Sequence, residues 1–133
     1  MKNEDLIIEA KKAREKSYSP YSGFQVGAAL LTKSGKIYYG CNIENAAYAP
    51  TNCAERTAFF KAVSEGETEF EKIAIVGGMK GKEADEMCAP CGVCRQVMME
   101  FCEPDKFQVV LSDGKGGCNT FFLEELLPHG FKL

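Results

Sequence analysis

The sequence predicts an α/β fold, a three-layer α-β-α arrangement on a five-stranded mixed sheet. Three observations carry that expectation. From Gly40 to Leu111 the pattern reads strand-helix-strand-helix-strand, and connections of helix length suit parallel neighbouring strands. The polar joint Ser34-Gly35 between two apolar runs marks an antiparallel hairpin, which makes the sheet mixed. The length of 133 residues suits one domain over residues 1–133, with helices covering both sheet faces.

Taken in order, Leu6, Ile7, Ala10 and Ala13 share one face of a first helix, with Lys11, Lys12 and Arg14 on the others. Ser19-Pro20-Tyr21-Ser22-Gly23 breaks the chain. Strands follow at Gln25 to Thr32 and Lys36 to Ile43, then a helix from Cys53 to Glu65 with Ala58, Phe59, Ala62 and Val63 as its apolar face. Lys72 to Val76 is a short strand that closes at Gly77-Gly78. A charged loop, Gly77 to Ala89, leads to a helix from Cys91 to Phe101 showing Val93, Val97, Met98 and Phe101. Phe107 to Leu111 and Cys118 to Leu123 are strands joined through Gly114, Gly116 and Gly117, a hairpin pattern with no phosphate-loop spacing. Glu124 to Leu127 completes one helical turn.

Composition narrows the function. With 16 Lys and Arg against 19 Asp and Glu, the net charge of -3 makes a poor grip on polynucleotide phosphates or anionic lipid. No apolar run is long enough to span a bilayer, and Met1-Lys2-Asn3-Glu4-Asp5 is too polar for a signal peptide, so a cytoplasmic protein is expected. Seven cysteines, an odd number without a secretion signal, argue for metal or redox chemistry over a disulfide framework. The single histidine, His129, excludes two-histidine metal sites, so any metal site must be rich in sulfur.

Cys91 and Cys94 stand three apart at a helix start, on one face, and Pro90 suits that start. Cys53 opens the other helix, and two helix N-termini aimed at one point favour thiolate over thiol. Three thiolates around Zn²⁺ leave a fourth position open for water, which is the catalytic kind of site. Glu55, two residues beyond Cys53, is turned away from ligation and suits proton transfer. Arg56 and Arg95 can donate hydrogen bonds to the thiolates and so restore acidity to the metal. Asn42 and Glu44, at i and i+2 on a strand end, leave the same face and make a hydroxyl clamp. A redox pair at Cys91 and Cys94, or a structural Cys₄ site completed by Cys88, are the competing readings. Cys41, Cys102 and Cys118 read as small core residues, and Phe121-Phe122 as core and subunit contact.

Cys53-Ala54-Glu55-Arg56 followed by Pro90-Cys91-Gly92-Val93-Cys94-Arg95-Gln96 resembles the signature of the zinc-dependent cytidine deaminases. Phe24-Gln25-Val26-Gly27-Ala28 and Cys41-Asn42-Ile43-Glu44-Asn45-Ala46-Ala47-Tyr48 are similar to the small homotetrameric branch of that family. The resemblance implies the cytidine deaminase-like fold and hydrolytic deamination of cytidine and 2′-deoxycytidine in pyrimidine salvage. It implies one zinc per chain on Cys53, Cys91 and Cys94, with Glu55 as the catalytic proton carrier. It further implies that Asn42 and Glu44 hold the ribose 3′-hydroxyl, that Phe24 packs near the pyrimidine, and that Ala46, Tyr48 and Ala54 touch substrate. Phe131 is expected to reach a neighbouring subunit's site, which makes self-association into a homotetramer part of the reading. No nucleic-acid or membrane partner is expected. A deaminase of another cytosine-bearing compound, such as a nucleoside antibiotic, is the nearest alternative, and Asn42 and Glu44 weigh against it. Two features depart from the family pattern: the Gly77 to Ala89 loop is longer and more charged, and with two residues after Phe131 no further tail is expected over the site.

Overall fold

The computed structural model describes residues 1–133. In chain order the elements are α1 (Asn3–Arg14), β1 (Phe24–Thr32), β2 (Ile37–Cys41), α2 (Ala54–Ser64), β3 (Phe70–Met79), α3 (Gly92–Phe101), β4 (Gln108–Ser112), β5 (Cys118–Phe122) and α4 (Leu123–Leu126). The five strands form one mixed sheet in the order β2-β1-β3-β4-β5. Only β3 and β4 are parallel neighbours; β1 pairs antiparallel with both β2 and β3, and β5 with β4. The expected parallel neighbours on either side of α2 are therefore corrected, because β1 lies between β2 and β3. A crossover of helix length spans two strand positions as readily as one, so α2 alone could not reveal the insertion.

The central strands are buried on both faces, which is why they read as continuous apolar runs. Their alternation separates two cores. Ala28, Leu30, Ile73, Ile75, Val109 and Leu111 face α2 and α3, where Phe59, Met98 and Phe107 fill the layer. Ala29, Leu31, Ala74, Val76 and Val110 face α1, and meet the Leu6, Ile7 and Ala10 face expected from its periodicity. Helix α1 also follows its macrodipole, with Glu4 and Asp5 in the first turn and Lys11, Lys12 and Arg14 in the last.

Two glycines let the outer layers close onto the sheet. A β-carbon at Gly27 would stand 2.2 Å from the Ala10 carbonyl oxygen of α1, and one at Gly40 would stand 2.1 Å from the Ala54 oxygen of α2. Backbone cannot yield as a side-chain end can, so Gly40→Ala is expected to cost about 3 kcal/mol, the upper part of the overpacking range. Gly92, with nothing within 4 Å of its added β-carbon, is the control, and Gly92→Ala should melt with the parent. Urea unfolding midpoints of the two variants check this.

Some boundaries move. β3 continues through Gly77 and Gly78, because Val26 and Gln25 of β1 pair with them and supply the partner that their own β-propensity does not. Val93, expected on the buried face of α3, is 58% exposed. Met98 is buried on that face as expected, with Val97 and Phe101 partly buried, and Cys94 takes the place of Val93. Cys102 is buried, whereas Cys41 and Cys118 are half-buried, Phe121 is half-buried on the edge strand, and Phe122 is exposed. No helix is long and apolar enough to cross a membrane. The register sets Phe24 opposite Met79 and Gly27 opposite Cys41, so the start of β1 and the ends of β2 and β3 share one edge of the sheet. Helices α2 and α3 begin from that edge, following the ends of β2 and β3.

Candidate active site

Each of the two helix starts has a cysteine at its N-cap position. Cys53 is the extended N-cap of α2, and Cys91 is the extended N-cap of α3. The Cys91 sulfur accepts a hydrogen bond from the backbone N–H of Cys94 at 3.5 Å, the part that a serine or aspartate plays at ordinary caps. This cap turns Cys91 and Cys94 to one side of α3, toward Cys53.

The Cys53 and Cys91 sulfurs lie 3.7 Å apart. All three sulfurs, with Cys94, lie within 4.8 Å of one another, and no fourth metal-ligating atom completes the group. Ligands about 2.3 Å from a tetrahedral Zn²⁺ are separated by about 3.8 Å, so this soft, three-thiol set fits zinc with one position open. Cys88 stands outside the group, and burial pushes its thiol up to about 11, which suits an ordinary protonated side chain. The competing four-cysteine reading therefore has no geometric support.

The electrostatics favour a thiolate at Cys53. Hydrogen bonds from the Cys94 thiol and from Arg56 bring Cys53 down to about 5, against the opposing effect of burial. Cys94 is correspondingly raised, since it is the donor in that pair and is itself buried. The Arg56 Nη2 donates to the Cys53 sulfur at 3.3 Å, as expected from the sequence. Arg95 does not follow that expectation. Its Nε donates to the Pro90 carbonyl at 2.7 Å and its Nη1 to the Leu126 carbonyl at 2.6 Å, so it ties the start of α3 to α4 and bonds to no sulfur. One residue past Cys94 is about 100° further around the helix, enough to carry the side chain off the metal face.

Glu55 is 4% exposed, one of few charged residues in the interior. Burial pushes its carboxyl up to about 7, and the neighbouring Cys53 sulfur adds to the rise. A carboxyl poised there holds a proton or releases it near neutral pH, the property of a general acid and base.

Asn42 and Glu44 both face residues 17–26. The Asn42 Oδ1 accepts from the Ser17 hydroxyl and from the Val26 N–H, and its Nδ2 donates to the Phe24 carbonyl at 2.9 Å. The Glu44 Oε1 accepts from the Tyr21 and Ser22 N–H groups at 2.9 and 3.1 Å, and its Oε2 from the Ser22 hydroxyl. The Ser22 hydroxyl bond, with these N–H groups, holds the Glu44 carboxyl below its usual range. Neither partner set is legible in the sequence, because Ser22 reads as part of the chain break and Ser17 has no distinctive spacing. Phe24 is half-buried, and its ring edge and the Cys88 thiol both press on the space beside Gly77, where an added β-carbon would meet each at 2.9 Å. Ala54 is buried at the start of α2 and Ala46 is exposed. Tyr48, at positive φ, and Phe131 are 80% and 66% exposed. The Phe131 carbonyl accepts from the Gln96 amide of α3 at 3.0 Å.

Comparison with known proteins agrees with this geometry. Residues 1–111 match the family described as the cytidine and deoxycytidylate deaminase zinc-binding region. A protein named cytidine deaminase from Sporosarcina psychrophila is 53% identical over 96% of this chain and 90% of its own length. A crystal structure of cytidine deaminase from Burkholderia pseudomallei superposes with a TM-score of 0.87 at 49% identity, over 98% of this chain and all of that one. A protein named blasticidin-S deaminase from Bacillus cereus is 37% identical over 77% of this chain and 74% of its own length. A match across so much of the sequence, with the cysteine triad inside it, settles the family: this chain belongs to the zinc-binding cytidine and deoxycytidylate deaminases.

Proposed function

We propose that the protein hydrolyses cytidine and 2′-deoxycytidine to uridine and 2′-deoxyuridine, releasing ammonia, in the cytoplasm. The observation that carries this reading is a buried carboxyl, Glu55, beside three convergent thiols. Cys53, Cys91 and Cys94 hold one zinc ion, which when bound supplies Lewis acidity toward the attacking water. Glu55 removes a proton from that water and delivers it to the ring nitrogen beside the reacting carbon. The carboxyl then passes the second proton to the departing amine, so one water enters and one ammonia leaves. Arg56 withdraws charge from the Cys53 sulfur and so keeps a three-thiol set from quenching the metal's acidity.

The sugar is held by what Asn42 and Glu44 have left after their internal bonds. Asn42 keeps one amide N–H, and Glu44 Oε2 keeps a lone pair beyond the Ser22 bond. One donor and one acceptor match the two halves of a hydroxyl group, here the ribose 3′-hydroxyl. Phe24 lies against the pyrimidine, with Ala46, Tyr48 and Ala54 completing the substrate contacts.

Following ultraviolet absorbance over a panel of cytosine nucleosides tests the reading. Cytidine and 2′-deoxycytidine should both be turned over. A hydrogen bond to a charged group contributes about 1.5–3 kcal/mol, so 2′,3′-dideoxycytidine should fall about 10- to 150-fold below 2′-deoxycytidine in kcat/KM. Equal rates on the last two would remove the 3′-hydroxyl from the reading. The likeness to a blasticidin-S deaminase puts that antibiotic on the same panel, and a preference for it over cytidine would reverse the substrate assignment.

The exposed side chains of Phe131 and Tyr48, with Phe122 on the edge strand, support a homotetramer with shared sites. Size-exclusion chromatography with light scattering should return four chains per particle. A fully active monomer at assay concentration would refute shared sites.

A further inference from the structure

The segment read as the sugar clamp and the segment that carries Cys53 and Glu55 are joined by a hydroxyl that no part of the mechanism uses. The Thr57 Oγ1 lies 3.0 Å from the carbonyl of Cys41, the last residue of β2, and 3.1 Å from the carbonyl of Cys53. The same oxygen accepts from the Asn52 Nδ2 at 3.2 Å. Asn52 in turn exchanges both backbone hydrogen bonds with Ile43, each at 2.9 Å, and Ile43 sits between Asn42 and Glu44. This hydroxyl thus accepts from the residue that pins Ile43, and its single proton lies between two carbonyls, that of Cys41 just before Asn42 being the nearer and that of Cys53 just before Ala54 the other.

The backbones it joins are already close. The Ala54 oxygen would meet a β-carbon at Gly40 at 2.1 Å and the Ala58 nitrogen at 2.6 Å, so the end of β2 packs on the first turn of α2 without a side chain between. Thr57 stands in that first turn, and its own N–H already satisfies the Cys53 carbonyl at 3.1 Å. The hydroxyl is therefore not required to close the helix; what it adds is the link to Cys41 and Asn52.

We propose that Thr57 is a positioning residue that sets the spacing between the nucleoside-sugar clamp at Asn42 and Glu44 and the reacting centre at Cys53 and Glu55. A substrate held at its sugar by one segment and attacked at its base beside the other needs that spacing fixed, since productive geometry tolerates only small misplacements. The inference rests on the clamp reading given above.

Thr57→Val keeps the branched shape and its χ1 preference while removing the hydroxyl, leaving the Asn52 amide and the Cys41 carbonyl without this partner. The expected result is one zinc per chain, a fall of about 10- to 100-fold in kcat/KM for cytidine, and a shrinking of the preference for 2′-deoxycytidine over 2′,3′-dideoxycytidine. Thr57→Ser, which keeps the hydroxyl, should restore both values to near the parent. Loss of the methyl packing alone would impair Thr57→Ser and would leave the preference unchanged, so either outcome overturns the inference. Loss of zinc from Thr57→Val overturns it too, since the role would then be assembly of the metal site. The parent enzyme's own preference separates the two readings. A value near one overturns the clamp, whereas a large value that survives Thr57→Val overturns the brace. Should Thr57→Val not fold, Asn52→Ala removes the donor to the same hydroxyl and must lower the preference in the same direction; an unchanged preference there is equally fatal.

Discussion

Glu55→Gln is expected to leave one zinc per chain and to lower kcat on cytidine by about 10⁴-fold, the upper end of what one positioned acid-base group supplies. The amide has the volume of the carboxylic acid, so the buried site keeps its packing, but it can neither accept the water's proton nor return one to the leaving amine. Glu55 is suited to both acts because burial holds its carboxyl near 7, where the protonated and ionised forms coexist at neutral pH. A carboxylate left in water would ionise near 4.3 and would seldom carry a proton to the amine at neutral pH. Metal analysis and steady-state rates on the same preparation decide the assignment. If zinc disappears together with activity, Glu55 is holding the metal site together and the proton-carrier role falls. If kcat drops less than about tenfold, below the smallest effect expected of general acid-base catalysis, another group moves the protons.

What was legible in the sequence follows how local each determinant is. The Leu6, Ile7, Ala10 and Ala13 stripe, the Ser34-Gly35 hairpin and the two helix starts with a cysteine at the N-cap position depend on residues a few positions apart, and the fold repeats them. The insertion of β1 between β2 and β3 depends on pairing between distant segments, and periodicity carries no record of it. Arg95 shows the same limit within one helix. Its place after Cys94 suggested a thiolate partner, but the carbonyls it reaches belong to Pro90 and to Leu126, and the position of α4 is a tertiary matter. Asn42 and Glu44 were legible as a polar pair on one side of the chain. Their commitments to Ser17, Val26, Phe24, Tyr21 and Ser22 were not, although those bonds decide how much donor and acceptor capacity remains for a substrate. Thr57 carried no signal at all, because a threonine inside a helix has no distinctive spacing and only the approach of β2 gives its hydroxyl a distant partner.

The second large effect concerns the metal and the fold together. Cys94→Ala is expected to lose zinc, all measurable activity and a substantial share of thermal stability, while Cys88→Ser keeps zinc. Cys94 is buried at the meeting of α2 and α3, its sulfur within 4.8 Å of those of Cys53 and Cys91. These three sulfurs come from two helix starts that the chain brings together only on folding, so an ion bound to them stabilises the native state and not the unfolded one. Zinc held at free concentrations a thousandfold above its Kd would contribute about 4 kcal/mol. For a chain of this size that corresponds to a fall of about 10–20 °C in Tm when the ion is lost. The parent protein stripped by a chelator should melt close to Cys94→Ala, and added zinc should rescue the former but not the latter. Cys88 separates metal binding from general loss of a buried thiol. It is half-buried against the same core, yet it lies outside the sulfur cluster, so its replacement should lower stability slightly without changing the zinc content. If Cys88→Ser also emptied the site, a fourth thiol would have to belong to it, no position would remain open for water, and the catalytic reading of the triad would give way to a structural one.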